Sequence, residues 1–96
     1  MKYMNVVKFQ VKAEHLSAFM ESQRTQPDWD GQLESRMIQT GERTFCGYGL
    51  WTSQEAMSAA MGSMVAWLDT VRHMLDEISP ELGVTDAVSG PVVHEK

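Results

Sequence analysis

The apolar positions at the start of the chain fall two apart. Tyr3, Val7, Phe9 and Val11 share one face with Asn5, and Met4, Val6, Lys8 and Gln10 take the other, as in a strand whose second face turns wet toward its end. The period then changes. Leu16, Phe19 and Met20 recur at helical spacing among Glu14, Ser17, Glu21 and Arg24, so residues 13 to 25 are expected to form a short amphipathic helix. TQPDWDGQ, residues 25 to 32, reads as loop, because Pro27, Asp28, Asp30 and Gly31 each favour a turn for a reason of their own. Trp29 is the odd member, either a lid over a pocket or a staple holding the loop to the body.

LESRMIQT and RTFCGYGLW flank Gly41-Glu42 and read as two antiparallel strands joined by a tight hairpin. In the second, Cys46, Tyr48 and Leu50 point one way, and Phe45, Gly47, Gly49 and Trp51 the other. Glycine weakens a strand interior and often marks a close approach by a ligand or another backbone. The space above Gly47 and Gly49 therefore asks for an occupant. Thr52 and Glu55 have capping-box spacing and open a helical pattern that runs to about Ile78, ahead of Pro80. A break or kink is expected at Gly62-Ser63, since glycine is poor in a helix interior and serine is a good N-cap. Beyond it, Met64, Trp67, Leu68, Val71, Leu75 and Ile78 line one face. VTDAVSGPVVHE is a last strand interrupted at Gly90-Pro91, which belongs at an edge or bulge because proline cannot donate to a ladder.

The order β-α-β-β-α-β with right-handed crossovers gives a four-stranded antiparallel sheet carrying two helices on one face, the ferredoxin-like α+β arrangement. Residues 1–96 read as a single domain without repeats, low-complexity tracts or linkers. Two helices cover one sheet face, yet the strands are apolar on both. A homodimer whose sheets meet face to face is expected.

A net charge of -5, with eight scattered Lys and Arg, argues against nucleic acid and anionic membrane as partners. No apolar run approaches the length of a transmembrane helix, and the charges within MKYMNVVKFQVKAEH do not read as a signal peptide. Cys46 is the one cysteine. It reads as a small buried hydrophobe, and a reducing cytoplasm is the expected location. Eight methionines give either a soft core or a wall shaped for an apolar ligand. His15, His73 and His94 are well separated, with no Cys or carboxylate at ligand spacing, so no metal site is expected. Neither a Gly-rich phosphate loop nor a Ser-His-Asp order is recoverable. Glu34 and Arg36 alternate on a strand and should make a solvated edge pair.

GLWTSQEAMSAAMGSMVAWLDTVRHMLDE resembles a region of the antibiotic biosynthesis monooxygenase family and its dimeric α+β barrel relatives. That region has a strand ending in Trp, a polar capping turn, a short helix with Glu-Ala, a Ser-led break and a longer helix. Trp51, Glu55, Ala56, Ser63, Trp67 and Leu75 fall at matching places. MKYMNVVKFQVKAEHLSAFM and SGPVVHE resemble the family's first strand and helix and its last strand, so nearly the whole chain is covered. The resemblance implies a dimeric α+β barrel with a pocket in each subunit between helices and sheet, lined by residues such as Asn5 and Trp67. It also implies a choice of roles: cofactor-free oxidation of polycyclic phenols by O2, action on quinols, binding or degradation of haem, or a stress response.

Asn5 is a polar residue among Tyr3, Val7 and Phe9. A buried amide without partners costs roughly 1–3 kcal/mol, so Asn5 either orients a ligand oxygen or bonds a neighbouring side chain. Cofactor-free oxygenation requires help in forming a substrate carbanion and stabilising its charge, from a few donors in a dry pocket and at most one base. Asn5, Trp67 and His73 are the candidate catalytic residues, and Tyr48, Trp51, Met64 and Arg72 the candidate ligand contacts. No cofactor is expected. His73 is the best titrating candidate, but it lies well round the helix from Trp67, and its plainer reading is a helix histidine near the outer edge. Asn5, Trp67 and His73 supply the residue types of the haem-degrading relatives. Counted from Trp51, however, the last two fall at different offsets, which makes haem the weaker reading.

Gly47 and Gly49 admit two arrangements. If the Phe45/Trp51 face meets the helices, they hollow a pocket beneath Trp67 and the methionines. If it meets a partner, they admit that subunit's aromatics, and Tyr48 and Cys46 face the pocket. Parity does not choose between these; the second is the working expectation. The expected function is a cofactor-independent monooxygenase-like protein acting on a small hydrophobic aromatic or quinol-type compound. The alternative is a non-catalytic homodimeric ligand-binding or stress-responsive module.

Overall fold

The alternating segments form four strands and the two helical segments pack across them. A computed structural model describes residues 1–96: strand β1 (Tyr3–Gln10), a 3-10 turn (Ala13–His15) leading into helix α1 (Leu16–Gln23), strands β2 (Gln32–Gln39) and β3 (Thr44–Trp51), helix α2 (Gln54–Val71) followed by a second 3-10 turn (Arg72–Met74), and strand β4 (Asp86–Pro91). The strands make one antiparallel sheet in the order β2-β3-β1-β4, the ferredoxin-like topology. Strands β1 and β3 are central. Pro91 ends an edge strand, where proline is tolerated. No helix is long and apolar enough to cross a membrane.

Register decides which side chains the helices cover. Tyr3, Asn5, Val7 and Phe9 of β1 lie opposite Trp51, Gly49, Gly47 and Phe45 of β3, all on one face. Phe45 packs there with Val11, with Phe19 of α1, and with Val71 and Leu75 from the end of α2 and beyond. The rings of Phe9, Phe19 and Phe45 stand 5.3 to 6.0 Å apart, a spacing at which aromatic pairs attract. Trp51 forms a second cluster with Met57 and Ala60 of α2. The Phe45/Trp51 face thus meets the helices and not a partner, which overturns the working expectation. Tyr48 and Cys46 lie on the uncovered face with Met4, Val6 and Leu50, and Cys46 is half-buried there.

Helix α2 departs from its sequence reading in three ways. Its N-cap is Ser53, whose hydroxyl accepts from the Ala56 amide at 3.1 Å, in place of the Thr52 capping box. It runs unbroken through Gly62-Ser63. Both residues are exposed, and the apolar stripe on either side carries the glycine's propensity cost. It ends at Val71, because Leu75 takes an extended conformation and bridges Val11. Asp76 holds that junction: its amide donates to the Gln10 carbonyl at 2.8 Å, and its carboxylate accepts from Gln10 Nε2 and Arg43 Nη1. Ile78 is left 42% exposed.

Candidate functional site

Between the two clusters the helices stand off from the sheet over Gly47 and Gly49, leaving a cavity of about 420 Å³. Val7, Met37, Ser35 and the two glycines form its floor, and Met57, Met64, Trp67 and Leu68 of α2 its roof. The glycines create the room in different ways. A Cβ at Gly47 would make ordinary contacts at 3.6 to 4.0 Å. A Cβ at Gly49 would lie 2.7 Å from Asn5 Oδ1, 2.8 Å from Gln32 Nε2 and 3.0 Å from Trp51 Nε1. Three polar tips from three strands or strand ends therefore converge where Gly49 has no side chain.

Strand pairing explains the convergence. Asn5 is opposite Gly49, and Gln32, at the start of β2, is opposite Trp51. Trp51 is fully buried, and its indole Nε1 donates to Asn5 Oδ1 at 2.7 Å. A buried indole nitrogen ordinarily finds such a partner. The amide groups of Asn5 and Gln32 otherwise engage nothing in the chain, while Gln23 Nε2 and Trp29 Nε1, on residues lining the same cavity, are buried with no partner. Trp29 folds back against Trp51, Met57 and Ala60 and so is wall and staple at once. Its loop is pressed onto α2: a Cβ at Gly31, where φ is +83°, would lie 2.6 Å from Ala56 Cβ.

The candidate residues are thus dispersed. Asn5, Trp67 and Met64 line the cavity, and Trp51 stands behind Asn5. Tyr48 turns to the other face, where its hydroxyl donates to the Glu34 carboxylate and accepts from Arg36 at 3.3 Å. Arg36 also pairs with Glu34 at 2.6 Å. The Tyr48 hydroxyl bond, followed by the Arg36 charge against an opposing desolvation, holds the Glu34 carboxyl below its ordinary range. The same hydroxyl, with the Glu34 charge, raises the Arg36 guanidinium. Arg72 is exposed and pairs with Asp69 at 2.9 Å. His73 is exposed and sits edge-on to His15, the ring centres 5.6 Å apart. No carboxylate, imidazole, thiol or ammonium group lines the cavity, and no three His, Cys, Asp or Glu side chains cluster anywhere. Gln32 went unnoticed in the sequence because it closes a loop-like stretch of polar residues. Its only cue is its position at the first residue of a strand.

Solved structures of very different sequence share this fold. SnoaB, a cofactor-independent oxygenase from Streptomyces nogalater, is 13% identical over 98% of this chain and 95% of its own, with a TM-score of 0.70. The shared feature is the ferredoxin-like fold. A protein of Nitrosomonas europaea provisionally assigned as an antibiotic biosynthesis monooxygenase is 19% identical over 97% of this chain and 91% of its own (TM-score 0.74). A dimeric ferredoxin-like protein from an uncultured marine organism is 11% identical over 99% and 90% (TM-score 0.74). No protein-family model matches the sequence, and no curated protein does.

Proposed function

We propose that the chain is a homodimeric, cofactor-independent monooxygenase-like protein whose cavity takes a small hydrophobic aromatic or quinol-type compound. The observation that carries this reading is the cavity itself: apolar and sulfur-rich on the α2 side, with Asn5 and Gln32 amides at its floor, no carboxylate, imidazole, thiol or ammonium group in its lining, and the polar ends of Tyr48 and Arg36 held by Glu34. With no base to remove a proton, the substrate must ionise by its own acidity. The chain then holds the ionised ring against Trp67 and the methionines, keeps water out and donates to its oxygen from the Asn5 amide. In such a reaction a ring CH2 and one O2 become C=O and H2O, the carbanion supplying the electrons and one oxygen atom ending in each product. SnoaB, which shares the fold, is itself a cofactor-independent oxygenase.

The dimer reading rests on the uncovered sheet face, where Ile38 and Val88 are 60% and 65% exposed beside Met4, Val6 and Leu50. One free half-buried thiol and no disulfide fit a reducing cytoplasm. The non-catalytic reading draws on the same lack of an acid–base pair. Haem is disfavoured because His73, its candidate ligand, faces His15 away from the cavity.

A thermal-shift screen against phenols, quinones and haem tests this, with Asn5→Ala and Trp67→Ala alongside. A phenol or quinone should raise Tm in the wild type and in neither variant, by about 2.7 kcal/mol of stabilisation at a hundred times Kd. Oxygen uptake with the compound that binds then separates the enzyme from the binding module. Catalysis should show kcat/KM rising with pH through the pKa of the substrate's own phenol.

A further inference from the structure

We infer that the buried Trp51 indole sets the hydrogen-bonding polarity of the cavity, so that the floor at Gly49 presents a donor and selects ligands carrying an acceptor oxygen, a carbonyl or a phenolate. This rests on the reading of the cavity as a ligand site. An indole N–H can donate and do nothing else. The Asn5 atom 2.7 Å from Trp51 Nε1 is therefore the amide oxygen, and the arm left over is an NH2 group, which only donates. Nothing in the chain accepts from it. Trp51 is 0% exposed and packed against Met57 and Ala60, so the indole cannot swing aside to let the amide turn over.

The rest of the cavity points the same way. Trp29 Nε1, buried without a partner on a residue lining it, is a second group that can only donate. Gln23 and Gln32 are the adaptable members, since no group in the chain fixes either amide. A ligand bringing only a donor would leave the Asn5 NH2 unmet and meet it donor to donor, whereas a carbonyl or phenolate oxygen satisfies it.

Two flat tricycles of similar shape test this. 9-Fluorenone offers only an acceptor oxygen and carbazole only an N–H. In equilibrium dialysis with the intact wild-type protein, fluorenone should bind roughly tenfold more tightly, about the effect of leaving one buried donor unmet. Asn5→Asp, measured at pH 8 to hold the introduced carboxyl ionised, keeps an acceptor for Trp51 and replaces the NH2 by oxygen. It should reverse the order in favour of carbazole. Trp51→Phe frees the Asn5 amide to turn and should bring the ratio toward one; if that variant does not fold, Asn5→Asp decides the matter with the Trp51 bond kept. The same ratio in wild type and Asn5→Asp overturns the inference and leaves the cavity reading standing. Binding of neither compound by the wild type overturns both.

Discussion

At the Phe45 end of β3 the helix-covered face is packed with carbon alone: Phe9, Phe19, Val71 and Leu75 cluster with Phe45 and form the apolar end wall of the cavity. At the Trp51 end an equally buried aromatic spends its indole N–H on Asn5, and between the two ends Gly47 and Gly49 keep the helices off the sheet. One eight-residue strand thus carries a packed core and a hollow with polar tips at its edge. The larger buried apolar cluster lies at the first end and the convergent polar tips at the second.

The comparison breaks most visibly at Phe45. Phe45→Ala should cost about 3–5 kcal/mol in urea unfolding, since the ring is buried among three other elements, while the cavity keeps its ligand preference in whatever fraction remains folded. The two glycines sharpen it. Gly49→Ala should destabilise by about 1–3 kcal/mol and abolish ligand-induced Tm shifts, because its methyl displaces the Asn5 and Gln32 tips. Gly47→Ala meets only ordinary contacts and should stabilise by about 0.5–1 kcal/mol, read in the same urea titration. Equal effects at the two glycines would show that Gly49 is no more than a strand residue. Gly62→Ala, with open space around it on α2, should add up to about 1 kcal/mol by propensity and leave binding unchanged.

The smallest expected effect lies on the uncovered face. Glu34 has its folded pKa lowered, chiefly by the Tyr48 hydroxyl. Its contribution is therefore fully present above the unfolded pKa and disappears as the pH falls through the folded one. Glu34→Gln should lower stability slightly at neutral pH, as expected for an exposed group, and match the wild type in acid, so that the acid limb of its stability–pH profile is flatter below the ordinary glutamate range.

The fold was legible because its signal is periodic. Alternation in Tyr3–Val11 and Thr44–Trp51 and helical spacing from Met64 to Val71 need no knowledge of partners. The Gly47/Gly49 gap was legible as a gap. Its direction was not, because both faces of β3 are apolar and parity treats them alike; what decides is Phe19, Val71 and Leu75, which arrive from elsewhere in the chain. Asn5 and Trp67 were named as candidates from their residue types and the family resemblance, and both line the cavity, yet the bond that gives Asn5 its direction spans 46 positions of sequence and leaves no local trace. The end of α2 was misplaced for a similar reason: Leu75 has good helical spacing, but its bridge to Val11 wins.

The sheet order has a consequence for how the chain is made. Strand β1 leaves the ribosome first and lies at the centre of the sheet, between β3 and β4. One of its neighbours does not exist until Trp51 has emerged, and the other waits for Pro91. Until then Val6, Val7 and Phe9 travel without a ladder, a non-local pairing of the kind that slows folding and favours association between nascent chains. Strand β1 therefore gains one ladder from β3 and completes the other only with β4, and a deletion confined to β4 would leave it with an open edge.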